Sequence, residues 1–551
     1  MPRQPELTRR KFLGVGCATA ATLASTMVGV SSLAPETAAA APPGSPAPFD
    51  PSGGNLQQRR TSARLTRLDA AQLAFTRPLP VIANNGEEND YGGKRIGNFS
   101  KGLPHNGLGE VDPAAYNALL FALSTGNNAD FEAIPLGGAR PLRNPQAGIA
   151  FDLEGPDSHH LALRPAPRID GAENSAEAAE LYWMALARDV NFSDYTSHPL
   201  TLAAAADLSG FSDFRGPKAG GVVTPATLFR GNTPGDLNGP YISQFLLKDI
   251  PYGSLTVSQR QQTVVPGVDY VTSFADWVHI QNGGLSGSDS FDSTPRYIRN
   301  GRDMGQYVHV DALYEAYLNA CLLLLGMGAP FDPGNPYTHM KKQDAFGTFG
   351  GPHILSLVTE VATRALKVVW YEKWFVHRRL RPEAFGGLVH NRRTGAANYL
   401  VHSEILNTPV LNETFNRFGT YLLPQAYPEG SPLHPAYGAG HATVAGACVT
   451  ILKAWFDESF ILPNAVVASA DGLSLVPYVG APLTVGGELN KVAANIANAR
   501  NFAGIHWRTD FSESLKLGET IAIGILKEQK GTYNEEASFT LTKFDGTTIT
   551  I

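Results

Sequence analysis

Arg500-Asn501-Phe502-Ala503-Gly504-Ile505-His506-Trp507-Arg508-Thr509-Asp510 is the stretch on which this chain turns. An arginine is followed by a histidine six residues on and by an aspartate four after that. On a helix the histidine and aspartate lie one turn apart on one face. Asp510 can then accept the N–H of one His506 ring nitrogen and leave the other nitrogen free and electron-rich. An imidazole held that way is suited to ligating a metal or attacking an electrophile. The plainer alternative is a His–Asp contact on a helix surface beside two solvated arginines.

Two upstream segments bear on the choice. Lys373-Trp374-Phe375-Val376-His377-Arg378-Arg379-Leu380-Arg381-Pro382 sets a lysine and an arginine eight apart, closed by a proline that ends or kinks a helix. His434-Pro435-Ala436-Tyr437-Gly438-Ala439-Gly440-His441 is a glycine-bearing loop that opens into an apolar run over 442–456. Glycine lets backbone N–H groups approach an anion, and the helix N-terminus that follows favours negative charge. Three cations, Lys373, Arg381 and Arg500, together with the Gly440 amide, His441 and His506, can enclose a tetrahedral oxyanion. Burying such cations together is costly without an anion between them. Convergence therefore predicts its own ligand, phosphate or a metal oxyanion of the same shape.

The three segments resemble the signature shared by vanadium-dependent haloperoxidases and the related acid phosphatases: Lys…Arg-Pro, Pro-Ser-Gly-His, then Arg-x5-His-x3-Asp. Seven residues lie between Lys373 and Arg381, 55 between Pro382 and Gly438, and 58 between His441 and Arg500. The seven-residue gap is similar to the red-algal and cyanobacterial bromoperoxidases. So are Gly301-Arg302-Asp303-Met304 through Phe331-Asp332-Pro333, Phe349-Gly350-Gly351-Pro352-His353 through Arg364, and Arg230-Gly231-Asn232-Thr233-Pro234-Gly235-Asp236. The likeness covers roughly residues 60 to 525. Two positions depart from the pattern, Gly438 where proline is usual and Ala439 where serine is usual. The lost hydroxyl hydrogen bond contributes on the order of 1 kcal/mol, too little to abolish anion binding by several cations.

This resemblance implies a mainly α fold of two four-helix bundles, with the oxyanion where they meet. It implies vanadate as cofactor, held by Lys373, Arg381, Ala439, Gly440 and Arg500, with His506 the only protein ligand to vanadium and Asp510 orienting it. In this picture His441 is the acid–base group and Lys373 polarises the peroxide. His434, at a position where algal-type bromoperoxidases carry histidine, tunes the proton supply near the halide. Trp370 is similar to the tryptophan that chloroperoxidases place near the halide, though ordinary helix packing also accounts for it. The implied reaction is oxidation of bromide by hydrogen peroxide to hypobromous acid, which halogenates organic acceptors. Iodide fits the same chemistry, and chloride is left open. The alternative is a phosphatase or phosphotransferase with His506 as nucleophile and His441 protonating the leaving group. A non-catalytic oxyanion-binding protein would need neither His441 nor the His–Asp pair. Relatives form dimers and, in some cases, dodecamers, so a homo-oligomer is expected. Some relatives hold a structural calcium, but no segment here forms a clear calcium loop.

Composition is that of a soluble enzyme. Over 551 residues the formal net charge is −6, which argues against nucleic acid as a partner. Arg378, Arg379 and Arg508 read as ion-paired or solvated. Thr8-Arg9-Arg10-Lys11-Phe12-Leu13 and the small, weakly apolar run after it resemble a twin-arginine export signal, closed by Ala38-Ala39-Ala40-Ala41. Removal of 1–41 takes away four positive and two negative charges, moving −6 to −8, and implies a periplasmic or secreted protein. No later segment reaches the length of a membrane span. Cys17 leaves with the signal; Cys321 and Cys448 sit in apolar runs and read as buried small hydrophobes rather than a disulfide.

Residues 42–60 read as a flexible linker and 61–551 as one catalytic domain, with the active-site motifs in 373–510. Helical spacing marks 112–125, capped by Asp112-Pro113, and 175–189, capped by Ser175. Further helices are expected over 311–327, 353–379, 442–456 and 490–500. The tail, 538–551, alternates around Asp545-Gly546 and reads as a β-hairpin.

Overall fold

The run from Ala442 to Leu452 carries no charged side chain, so every face of a helix built on it can be buried. In the computed structural model, which describes residues 54–551, this run lies in the helix Gly440–Trp455, buried from Ala442 to its end. The helices Gly351–Tyr371, Val485–Phe502 and Arg508–Lys530 surround it and make the C-terminal four-helix bundle. The closest crossing is with Arg508–Lys530. A Cβ on Gly446 would sit 2.1 Å from the Leu515 carbonyl oxygen, and one on Gly518 would sit 2.0 Å from that of Thr443. Backbone meets backbone there, so only glycine fits. Gly518→Ala is expected to cost about 1–3 kcal/mol, as overpacking does, read as a lower denaturant midpoint.

A second helical group is centred on Ala172–Ala187, buried from Asn174 onward. Pro199–Ser209, Ser403–Asn407 and Pro409–Phe418 pack around it. Among the described residues the strands form three two-stranded antiparallel hairpins. The last pairs Thr540–Thr542 with Thr548–Thr550, as the tail predicts.

Several boundaries shift for local reasons. Asp112 does cap Pro113–Thr125, its Oδ1 accepting from the Ala115 amide at 2.9 Å. Ser175 caps nothing, because the helix begins at Ala172 and Ser175 is buried inside it. The helix expected over 311–327 starts only at Glu315; Asp311 is turned towards His441 instead. The 353–379 helix widens after Tyr371 into a π-helical turn, Glu372–His377. There the Arg378 amide reaches back to the Lys373 carbonyl at 3.0 Å. The expected linker is not linker throughout: Gly54–Thr76 is a helix, and the boundary at 60/61 falls inside it. Pro and Gly of that segment end at Gly54, and the Leu, Gln and Arg that follow favour helix. The export signal and residues 42–53 lie outside the described residues. The chain divides between Leu65 and Thr66 into two units, and the site lies wholly in the second. Cys321 and Cys448 are both buried and free. No helix among the described residues is long and apolar enough to cross a membrane.

Candidate active site

Four pieces of chain meet at one end of the C-terminal bundle: the wide turn with Lys373, the arginine before Pro382, the 434–441 loop, and the 500–510 turn. His506 is not on a helix. Val485–Phe502 ends, Gly504 takes a φ of +82°, and Arg508–Lys530 starts after Trp507. The His–Asp contact forms all the same, because Asp510 is in the first turn of the new helix and reaches back. His506 Nδ1 donates to Asp510 Oδ2 at 2.7 Å, and the Trp507 amide donates to the same oxygen at 3.1 Å. A carboxylate can only accept, so Nδ1 carries the proton and Nε2 keeps its lone pair. That nitrogen accepts from Arg381 Nη1 at 2.9 Å.

The three cations are buried without counter-ions. Lys373 Nζ donates to the carbonyls of Pro435 and Ala436, each at 2.9 Å. Arg381 donates to the His434 and Ile505 carbonyls at 2.9 and 3.1 Å, and its Nη2 lies 3.0 Å from His434 Nδ1. Arg500 donates from Nη1 to the Val308 carbonyl at 3.0 Å, and its buried Nε has no protein partner. None of the three is within ion-pair distance of a carboxylate among the described residues. The consequence is electrostatic frustration. Burial, and then Arg381 and Arg500, hold the Lys373 ammonium well below its usual range. Burial and Arg500 bring Arg381 down to about 9. Burial followed by Arg381, Lys373 and Arg500 depresses both His434 and His506 strongly. An anion among them would offset the repulsion and raise each of these groups.

His441 takes a different partner. Its Nε2 lies 3.0 and 3.1 Å from the two oxygens of Asp311. Burial alone would raise the Asp311 carboxyl, but His441 and Arg500 outweigh it and hold it below its usual range. His434, Gly440, His441, Arg500 and His506 line one cavity of about 300 Å³. Gly440 is the first residue of its helix, so its N–H has no partner within that helix. Trp370 and Arg143 also line the cavity. The Trp370 ring lies 4.7 Å from that of His434, and the Lys373 ammonium sits 5.6 Å over its face.

The chain is 40% identical to the vanadium-dependent bromoperoxidase of Corallina officinalis, over 90% of this chain and 99% of that one. It belongs to the vanadium-dependent bromoperoxidase family. The corresponding enzyme of Ascophyllum nodosum is 37% identical over 91% and 93% of the two chains. The structure of a second, homohexameric vanadate-dependent bromoperoxidase from that organism superposes with a TM-score of 0.87 at 30% identity, covering 95% of each chain. Residues 354–535 match the model of the VCPO second helical-bundle domain.

Within this family member, the glycine loop is fixed to the Arg508–Lys530 helix. The Ala439 amide donates to Ser514 Oγ at 2.8 Å. Gly438 is where a side chain would collide, since a Cβ there would be 2.6 Å from the same Ser514 oxygen. Ser514 thus occupies the space beside Gly438 and ties the loop to the Arg508–Lys530 helix. Ser514→Ala strands a buried amide and is expected to destabilise by about 1–3 kcal/mol, measured by denaturant unfolding.

Sequence reasoning missed Asp311, 130 residues before His441, because nothing local marks it. It also left Arg379 as an ion-paired residue without its target. Arg379 donates to Asp510 Oδ1 at 3.1 Å and to Glu177 at 2.8 Å, with its guanidinium 4.6 Å over the Trp507 ring. Arg378 pairs with Glu88 and Arg508 with Glu180, as expected of that group.

Proposed function

We propose that this protein is a vanadate-dependent bromoperoxidase that oxidises bromide with hydrogen peroxide to hypobromous acid, using the residues of this site. The observation that carries the reading is the convergence of Lys373, Arg381 and Arg500, buried and without counter-ions, around His506. This donor set fits a tetrahedral oxyanion with one imidazole ligand. Vanadate bound there supplies a Lewis-acid centre that activates peroxide. The chain's own residues do the rest. Lys373, Arg381 and Arg500 neutralise the oxyanion, and the Gly440 amide donates to it from a helix N-terminus. His506 offers Nε2 as the metal ligand, with Asp510 fixing tautomer and ring orientation. Arg379 in turn holds Asp510. His441, hydrogen-bonded to Asp311, moves the proton, and Lys373 polarises the peroxide. His434 and Trp370 form the wall that bromide and iodide approach. The organic acceptor is halogenated by the released hypobromous acid.

The twin-arginine motif supports export of the folded enzyme to the periplasm or beyond, and the homohexameric relative supports an assembly of several copies. The phosphatase reading uses the same pocket, with His506 attacking a phosphoryl group. Protein freed of oxyanion and then given orthovanadate separates the two. It should oxidise bromide in the presence of peroxide and leave a phosphate ester intact; ester hydrolysis without bromide oxidation overturns the proposal.

A further inference from the structure

Each turnover of the proposed reaction consumes a proton: bromide, hydrogen peroxide and one proton give hypobromous acid and water. The O–O bond breaks, a Br–O bond forms, and bromide loses the two electrons that peroxide gains. His441 must therefore be recharged every cycle. The cavity in front of it is lined by Arg500, His506 and His434, a cluster that disfavours one more positive charge, and its Glu429 is engaged with His309 at 2.8 Å.

The structure offers another side. A second cavity, about 440 Å³, lies behind the segment Gln306–Asp311. Asp311 lines both cavities. The segment is thus a partition: the Val308 carbonyl and His309 belong to the active-site side, while Gln306, Tyr307 and Val310 face the other. The second cavity mixes apolar wall residues, Ile250, Val257 and Val310, with polar side chains. Its walls carry Gln259, Gln261 and Gln262 from the stretch after the Ile250–Val257 hairpin, and Glu315 and Asn319 from the helix Glu315–Gly326. Gln306 is 6% exposed, and its side-chain oxygen has no hydrogen-bond partner among the described residues. A buried polar atom on the wall of a roomy cavity, beside other polar side chains, is satisfied by water. The ionisable groups that face Glu315 there are Asp311, Tyr307, Tyr252 and Arg260.

We infer that this second cavity is the proton port of the active site, with Glu315 passing protons from cavity water through Asp311 to His441. The inference rests on the proposed peroxidase reaction. Glu315 touches no reacting atom and acts through the Asp311–His441 pair. That pair gives up one proton per turnover and regains one from Glu315, which takes it from water. Two features suit Glu315 to the role. One of its oxygens accepts from the Ala312 amide at 3.2 Å, which fixes the carboxyl at the helix start. Burial, and then the neighbouring Asp311 charge, raise its pKa above the ordinary glutamate value, towards the pH at which a relay must load and unload.

The test uses vanadate-loaded enzyme and compares wild type with Glu315→Gln. The port predicts a kcat for bromide oxidation reduced about tenfold above pH 7, a modest share of a general-acid contribution. The loss should shrink as the pH falls and protons arrive unaided. Vanadate affinity and the KM for bromide should stay within about twofold, and small carboxylic-acid buffers should restore kcat in proportion to their concentration. Asn319→Phe fills the cavity while keeping Glu315, and should give the same alkaline defect without buffer rescue. If both variants bind vanadate and keep the wild-type pH profile, the port is overturned. If either fails to fold, the other decides alone by the same criterion. A wild-type protein that oxidises no bromide would instead overturn the proposed function, so the two failures are distinct.

Discussion

His506→Ala is expected to lower bromide oxidation by at least about a hundredfold while leaving some vanadate bound. Replacing residues that merely orient a metal ligand typically costs 10–100-fold, and here the ligand itself is removed. His506 Nε2 is the imidazole lone pair that faces the buried cations, and Asp510 is spent on holding it. The cationic surround of Lys373, Arg381 and Arg500 stays in place, so the anion is retained as a counter-ion. Equilibrium dialysis with vanadate should report weakened but measurable binding, alongside the collapse of activity. Asp510→Asn should fall between variant and wild type, because an amide cannot impose the Nδ1–H tautomer as strictly. A fully active His506→Ala protein would sink the ligand assignment.

The second large effect is expected from phosphate, and it should depend on the order of addition. The three cations recognise charge and shape, which phosphate and vanadate share. Phosphate present at about 100 times its own dissociation constant should therefore raise the vanadate concentration needed for half reconstitution about 100-fold, by simple competition. Added after vanadate, it should displace far less within the time of the assay, because ligation by His506 slows vanadate release. The measurement is recovered bromide oxidation against phosphate concentration in two series, vanadate first and phosphate first. Indifference to phosphate in both would mean that Lys373, Arg381 and Arg500 do not share one anion pocket. That outcome would remove the peroxidase and the phosphatase readings together.

The frustration among the site's cations explains why both effects should be large. Without an anion, burial and mutual repulsion depress Lys373, Arg381, His434 and His506 in concert. Truncating any one changes the others, so effects of combined substitutions at these positions are not expected to add.

Much of this was legible in the residues because it is encoded over short distances. A proline or glycine ends a helix locally, an aspartate caps one locally, and a histidine–aspartate spacing survives even when the supposed helix is really a turn. Asp510 finds His506 from the first turn of a new helix as readily as it would from one turn along the same helix. The apolar run from Ala442 announced a helix, which in the structure begins two residues earlier, at Gly440. Short-range signals therefore set the mainly helical class and marked the three segments that meet around His506. What they could not supply was anything that depends on which segment folds against which. Asp311 as the partner of His441, Arg379 behind Asp510, Ser514 filling the place beside Gly438, and the partition that gives Asp311 two cavities all join residues far apart in the chain. Those pairings were decided only by the tertiary structure, because a buried polar group takes whichever partner the packing of the helices brings within hydrogen-bonding distance.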